Sequence, residues 1–319
     1  MLPRSHARAL ADGQGCRIRT FDITTGETQT VHASDSVLFE APNWTHDDQL
    51  IVNGDGLLWR VPAGGGTPEA VALDGVPELN NDHVLAPDGE TIHLSANDGQ
   101  LYTAPLEGGR GRRITPGGTR LHFLHGVSPD GSTLAYVALE PEGENWWTGA
   151  HLRTVGVDGA GDAALTGGGG PDDGPEFSPD GEWIYFNTER FSEVAGHAQV
   201  ARIRPDGSGL EQLTFDERVN WFPHLSPAGD LAVYLSYPPG VEGHPADHVV
   251  ELRLVRDGRW AEASVIARLC GGQGTINVNS WSPDGRRFAF VDYPFSADSD
   301  SAHSDTDVAA SADIKETRS

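Results

Sequence analysis

Val127-Ser128-Pro129-Asp130-Gly131 runs directly into Ser132-Thr133-Leu134-Ala135-Tyr136-Val137-Ala138, a tight turn followed by a short β-forming stretch. The turn recurs along the chain. Ala86-Pro87-Asp88-Gly89, Ser178-Pro179-Asp180-Gly181, Ser226-Pro227-Ala228-Gly229 and Ser282-Pro283-Asp284-Gly285 repeat it, and Thr45-His46-Asp47-Asp48 is a degenerate copy. Copies separated by roughly 40 to 55 residues are the signature of a radial repeat fold. Pro presets φ, Asp bonds its own backbone, and Gly tolerates positive φ. An apolar residue precedes every copy: Trp44, Leu85, Val127, Phe177, Leu225 and Trp281.

Each turn leads into a short run rich in β-formers: residues 49–52, 91–95, 133–138, 183–187, 231–236 and 287–292. A second hairpin follows in most repeats, with turns such as Gly64-Gly65-Gly66 and Asp206-Gly207-Ser208-Gly209. Four strands per repeat predict an all-β, six-bladed β-propeller of four-stranded antiparallel blades. The sixth repeat has only its two inner strands. The missing outer hairpin stands at the N-terminus, in residues 16–23 and 28–32, and is expected to close the ring. Closure removes exposed sheet edges. The expected organisation is a propeller over residues 1–295 and a disordered acidic tail over 296–319, where Ser, Asp and Ala dominate.

The net charge of −25 argues against a nucleic-acid partner and against an anionic membrane surface. Two cysteines, Cys16 and Cys270, do not make a disulfide framework. Residues 1–10 lack the apolar core of a signal peptide, and no apolar run approaches a membrane span. The expected location is the cytoplasm.

The Pro-Asp-Gly turns are short and uniform, which marks their face of the ring as scaffold. The opposite face receives the segments that lead into the innermost strands. These are Glu40-Ala41-Pro42-Asn43, Asn80-Asn81-Asp82-His83, His122-Phe123-Leu124-His125, Asp172-Asp173-Gly174-Pro175-Glu176, Asn220-Trp221-Phe222-Pro223-His224 and Gln273-Gly274-Thr275-Ile276-Asn277-Val278-Asn279. Innermost strands line the channel, so these residues should converge at one mouth. His83, His125, His224 and Glu176 are nitrogen and carboxylate ligands of the type that binds a divalent metal such as Mn, Zn, Fe or Ni. Asn80, Asn81, Asp82, Asp172, Asp173, Asn220, Trp221, Gln273, Asn277 and Asn279 are candidate contacts to a small polar ligand or oligosaccharide. The same polar residues could instead only bond loop backbones. His83, His125 and Asn279 lie two residues before the apolar position, Glu176 and His224 one, so regular strands would point the two groups differently.

Longer loops should rise on the same face. One carries Trp146-Trp147, a pair that either stacks on sugar rings or simply caps the blade, and another carries His244, a candidate for moving a proton. Gly167–Gly170 lacks the Lys-Ser/Thr of a phosphate loop, and no Gly-x-Ser-x-Gly elbow occurs.

The Pro-Asp-Gly repeat resembles that of WD40-like propellers of the TolB type, over nearly the whole chain before the tail. Asn80-Asn81-Asp82-His83, His125-Gly126, Asp172-Asp173-Gly174-Pro175-Glu176, Asn220-Trp221-Phe222-Pro223-His224, Gly243-His244-Pro245 and Gly271-Gly272-Gln273-Gly274-Thr275-Ile276-Asn277-Val278 resemble segments of bacterial TolB-like proteins. A weaker likeness is to oligogalacturonate lyases, propellers with a metal held by His and Gln and a basic residue for β-elimination. That likeness implies His83, His125, His224 and Gln273 as ligands. A polyuronate would call on Arg190 or Arg253 for local neutralisation. The expected function is a polar, metal-dependent, carbohydrate-related site at the channel mouth, with lyase-like chemistry if it is an enzyme. The alternative is a non-catalytic scaffold for a protein partner.

Overall fold

The computed structural model describes residues 8–140 and 146–295. The expected acidic tail, 296–319, lies outside them. The described chain forms six antiparallel blades around a ring. Innermost strands are Phe39–Trp44, Leu79–Leu85, Leu121–Val127, Asp172–Phe177 and Val219–Leu225 for blades 1 to 5. Each starts a four-stranded meander. The only helical turns among the described residues are two short 3-10 segments, Trp146–Gly149 and Trp260–Glu262.

Blade 6 closes the ring as expected. Cys16–Asp22 pairs along Arg287–Asp292, and Thr28–Ser34 pairs outside it. Its innermost strand departs from the expected pattern. Only a bridge between Trp281 and Phe288 remains, and residues 272–280 take an irregular path.

The second strands read as continuous apolar runs because neighbouring blades cover both of their faces. Leu134, Tyr136 and Ala138 pack with Val84 and Leu101 of blade 2. Ala135, Val137 and Leu139, on the other face, pack with Phe177, Ile184 and Phe186 of blade 4. Leu50 and Val52 likewise meet Ile18, Ala289 and Val291 of blade 6, while Ile51 meets Ile92 and Leu94 of blade 2. The core is thus a series of inter-blade layers.

The turns satisfy themselves. Ser128 Oγ donates to Asp130 Oδ1 at 2.6 Å and accepts from Thr133 N at 2.9 Å. Ser178–Asp180 and Ser282–Asp284 repeat the contact at 2.5 and 2.6 Å. Where Ala228 replaces the Asp, Ser226 donates to Asp230 at 2.9 Å. The turns also touch around the ring: a Cβ added to Gly131 would lie 3.6 Å from Pro87, and one on Gly181 3.5 Å from Pro129. Their carboxylates are spent on scaffold.

The innermost strands of blades 1 to 5 each carry a register shift: between Glu40 and Asn43, Leu79 and His83, Leu124 and Gly126, Asp173 and Glu176, and Trp221 and His224. In blades 1, 4 and 5 the residue before Pro takes a left-handed backbone: Ala41 at φ 53°, Gly174 at 63° and Phe222 at 53°. A bulge redirects the side chains around it. These bulges lie at the channel mouth and decide which polar groups meet.

Candidate functional site

The irregular segment of blade 6 closes the channel. Thr275, Ile276, Asn277 and Val278 are buried, and the carbonyls of Ile276, Asn277 and Asn279 are tied to blades on several sides. His224 of blade 5 donates from Nε2 to Ile276 O at 2.5 Å, and His125 of blade 3 from Nδ1 to Asn277 O at 3.0 Å. Asn43 of blade 1 donates to Asn279 O at 2.8 Å. The segment is also folded on itself, with Gly274 N donating to Asn277 Oδ1 at 2.8 Å.

Above this plug lies a cavity of about 310 Å³. One part of its lining is apolar: Leu121, Phe123, Leu139, Trp147 and Phe222. Another part is amide, carboxylate and imidazole from Asn80, Asn81, Asp82, Asn97, His125, Asp173, His244, Gln273 and Asn277. At its floor His125 Nε2 faces Asp173 Oδ1 at 3.2 Å and Asp82 Oδ1 at 3.9 Å. Asp173 Oδ2 lies 3.5 Å from His244 Nε2, and His244 Nδ1 is hydrogen-bonded to Gln273 Oε1. Asn277 Nδ2 donates to the same Gln273 oxygen at 3.3 Å. Trp221 stands behind His244, with ring centroids 4.5 Å apart, and stacks on Trp147.

Burial penalises the His125 imidazolium, but the carboxylates of Asp82 and Asp173 outweigh it and raise its pKa to about 9. Burial raises Asp82 to about 6, against the attraction of His125 and with added repulsion from Asp173. Asp173 is buried too, but its hydrogen bonds to His125 and His244 hold it well below the usual carboxylate range. At neutral pH the floor is therefore an imidazolium between carboxylates.

Of the residues named from sequence, Asn80, Asn81, Asp82, His125, Asp173, His244, Gln273 and Asn277 do meet at this cavity. The others serve elsewhere. Asp172 accepts from Thr166 at 2.6 Å and Thr188 at 2.5 Å and pairs with Arg190. Asn220 bonds Ser236 at 2.7 Å and Asp216 at 3.0 Å. Trp221 backs the wall without lining it. Asn279 donates to Glu176 Oε1 and to Leu225 O, both at 2.8 Å. The sequence reading missed Asn97, Phe123 and Phe222 as ligand contacts. Asn97 belongs to Asn97-Asp98-Gly99, which reads only as a hairpin turn, yet its turn opens on this face. Both amide atoms of Asn97 are buried and lack a partner in the protein.

The four expected metal ligands do not form a coordination set. His224 Nδ1 faces Glu176 Oε2 at 2.5 Å and its Nε2 faces Ile276 O, so neither nitrogen is open to a metal. His83 Nδ1 bonds Asn43 Oδ1 at 2.7 Å, and burial lowers its pKa to about 3, leaving it neutral. His125 is protonated and donates from both nitrogens. Among the described residues no group of three or more His, Cys, Asp or Glu side chains is arranged to hold a metal ion. The physical reason is the bulged strands, which send His83, His125 and His224 to three separate partners. His83, His125, His224 and Glu176, as placed, do not converge on a common metal position.

No family model matches the chain. An uncharacterized protein of Agrobacterium fabrum is 37% identical over 298 residues, covering 90% of this chain and 97% of that protein. A solved structure from Agrobacterium tumefaciens, provisionally named TolB, is 36% identical with a TM-score of 0.79, covering 88% of this chain and 99% of that one. An oligogalacturonate lyase solved with manganese shares the fold at 13% identity and a TM-score of 0.57, over 88% of this chain and 78% of that one. Fold, repeat and full-length likeness agree: the chain belongs to the TolB-like family of six-bladed β-propeller proteins.

Proposed function

We propose that the cavity at the channel mouth is a binding site for a small carbohydrate. The observation that carries this reading is a lining in which Trp147, Phe123 and Phe222 accompany a row of side-chain amides ending in the unpartnered Asn97. An unpaired buried amide costs about 1–3 kcal/mol, which a ligand hydroxyl would recover. Aromatic rings suit the C–H face of a sugar, and amides suit its hydroxyls. The volume is at the small end of the roughly 300–1,000 Å³ typical of ligand pockets.

The test is calorimetric titration with a panel of neutral and acidic mono- and oligosaccharides. Binding that weakens at least tenfold in Trp147→Ala supports the reading. Absence of binding across the panel overturns it in favour of a scaffold for a protein partner.

A second reading, acid–base chemistry on the bound sugar, is favoured by the loose 3.5 Å contact between His244 Nε2 and Asp173. A ligand hydroxyl can take that nitrogen over, with Gln273 orienting the ring from Nδ1. Turnover of a bound oligosaccharide by the wild type and not by His244→Gln would establish it.

A further inference from the structure

The lining contains two carboxylates, Asp82 and Asp173, and no Arg or Lys. Among the described residues, the imidazoles and arginines nearby already have partners. His125 spends Nδ1 on Asn277 O and Nε2 on Asp173. His244 spends Nδ1 on Gln273, and the atom it leaves to a ligand, Nε2, stands 3.5 Å from the Asp173 carboxylate, which a ligand anion would have to face. Arg8 reaches the back of the site, donating to Gln273 O at 2.6 Å, but its charge is held by Glu40 at 3.0 Å and Asp247 at 3.3 Å, and it lies over Tyr293. Arg190 is bound by Asp172, and Arg253 by Asp216 and Glu251, both at 3.0 Å. Neither arginine offered by the sequence for neutralising an acid is available.

The rest of the polar lining is uncharged. Asn97 has both amide atoms without a protein partner, and Asn80, Asn81, Gln273 and Asn277, which also bond within the protein, add further amides. We infer that the site takes an uncharged sugar and rejects the corresponding uronate. This rests on the carbohydrate reading above and narrows it to a substrate class. A uronate carboxylate in this cavity would meet Asp82 and Asp173 with no Arg or Lys in the described lining to pair it, and a desolvated charge without a partner is strongly disfavoured. The chain's net charge of −25 adds repulsion at longer range.

The experiment titrates the full chain with matched pairs at pH 7.5: galactose against galacturonate, glucose against glucuronate, and their short oligomers. The neutral member is expected to bind at least tenfold more tightly. The ratio should narrow in Asp82→Asn. In the wild type it should also narrow at pH 5, where Asp82 takes a proton while the uronate keeps its charge. Uronates that bind as well as or better than their neutral partners overturn the inference and leave the carbohydrate site standing. A panel in which neither member binds overturns both.

Discussion

Glu176 gathers three hydrogen bonds in a place water does not reach. Its Oε1 accepts from Leu225 N at 2.9 Å and from Asn279 at 2.8 Å, while Oε2 meets His224 at 2.5 Å. Glu176→Ala would strand these buried donors, at about 1–3 kcal/mol each. We expect a loss of roughly 3 kcal/mol or more in urea unfolding, not reversed by added divalent metal. A loss below about 1 kcal/mol would show that the pair does not hold blades 4 and 5 to the plug. His125 gives a pH signature instead. Its folded pKa, about 9, lies above the unfolded 6.5. The folded state therefore holds the proton more tightly, and the stabilisation is complete below pH 6.5. It is lost as pH rises from 6.5 to 9. Wild-type stability should fall across that window, and His125→Asn should lack the fall. Parallel curves for the two proteins would refute the imidazolium assignment.

The innermost strands show where the sequence stopped being legible. The Pro-Asp-Gly turn or a variant of it, with the apolar residue before it, marked every blade, because turn chemistry is local and depends on few neighbours. The N-terminal hairpin was found by the same counting. Side-chain direction was not legible, because a bulge depends on tertiary packing and changes which face a residue joins. His125 reached the cavity as counted, whereas His224, one residue nearer its apolar position, went to the plug. Gly126 and Gly174 make these bulges. A Cβ at Gly126 would lie 2.6 Å from the carbonyl oxygen of Pro175, against backbone that cannot rotate away. At Gly174 φ is 63°, and a Cβ would come within 3.0 Å of Asn187 and Phe222. Gly174→Ala should cost about 1–3 kcal/mol, and Gly126→Ala a similar amount by overpacking. Thermal unfolding measures both. Alanine at either site without loss of stability would mean the bulge is not needed. The irregular segment 272–280 was legible only as an amide-rich stretch. Its role as a plug comes from partners supplied by blades 1, 3 and 5.

The cavity belongs to the ring as a whole. Asn97 comes from blade 2, Phe123 and His125 from blade 3, Asp173 from blade 4, His244 from blade 5 and Gln273 from blade 6. No residue of the N-terminal hairpin lines it, yet that hairpin sets the position of blade 6. Asp292 is nearly fully buried and is held by Arg17 at 2.6 Å and by Arg19 at 3.1 Å, both from the closing strand. Removing residues 1–34 would take away both cations that pair Asp292 together with the strand that covers it. It would also expose the edge of Arg287–Asp292 to other chains. The shortened protein is therefore expected to self-associate in size-exclusion chromatography and to lose sugar binding together with cooperative unfolding. A peptide of residues 8–34 added in trans should restore all three properties, because it returns both the arginines and the paired edge. A shortened chain that stays monomeric, unfolds cooperatively and binds the same sugars would show that blade 6 and its plug are held by the other five blades alone.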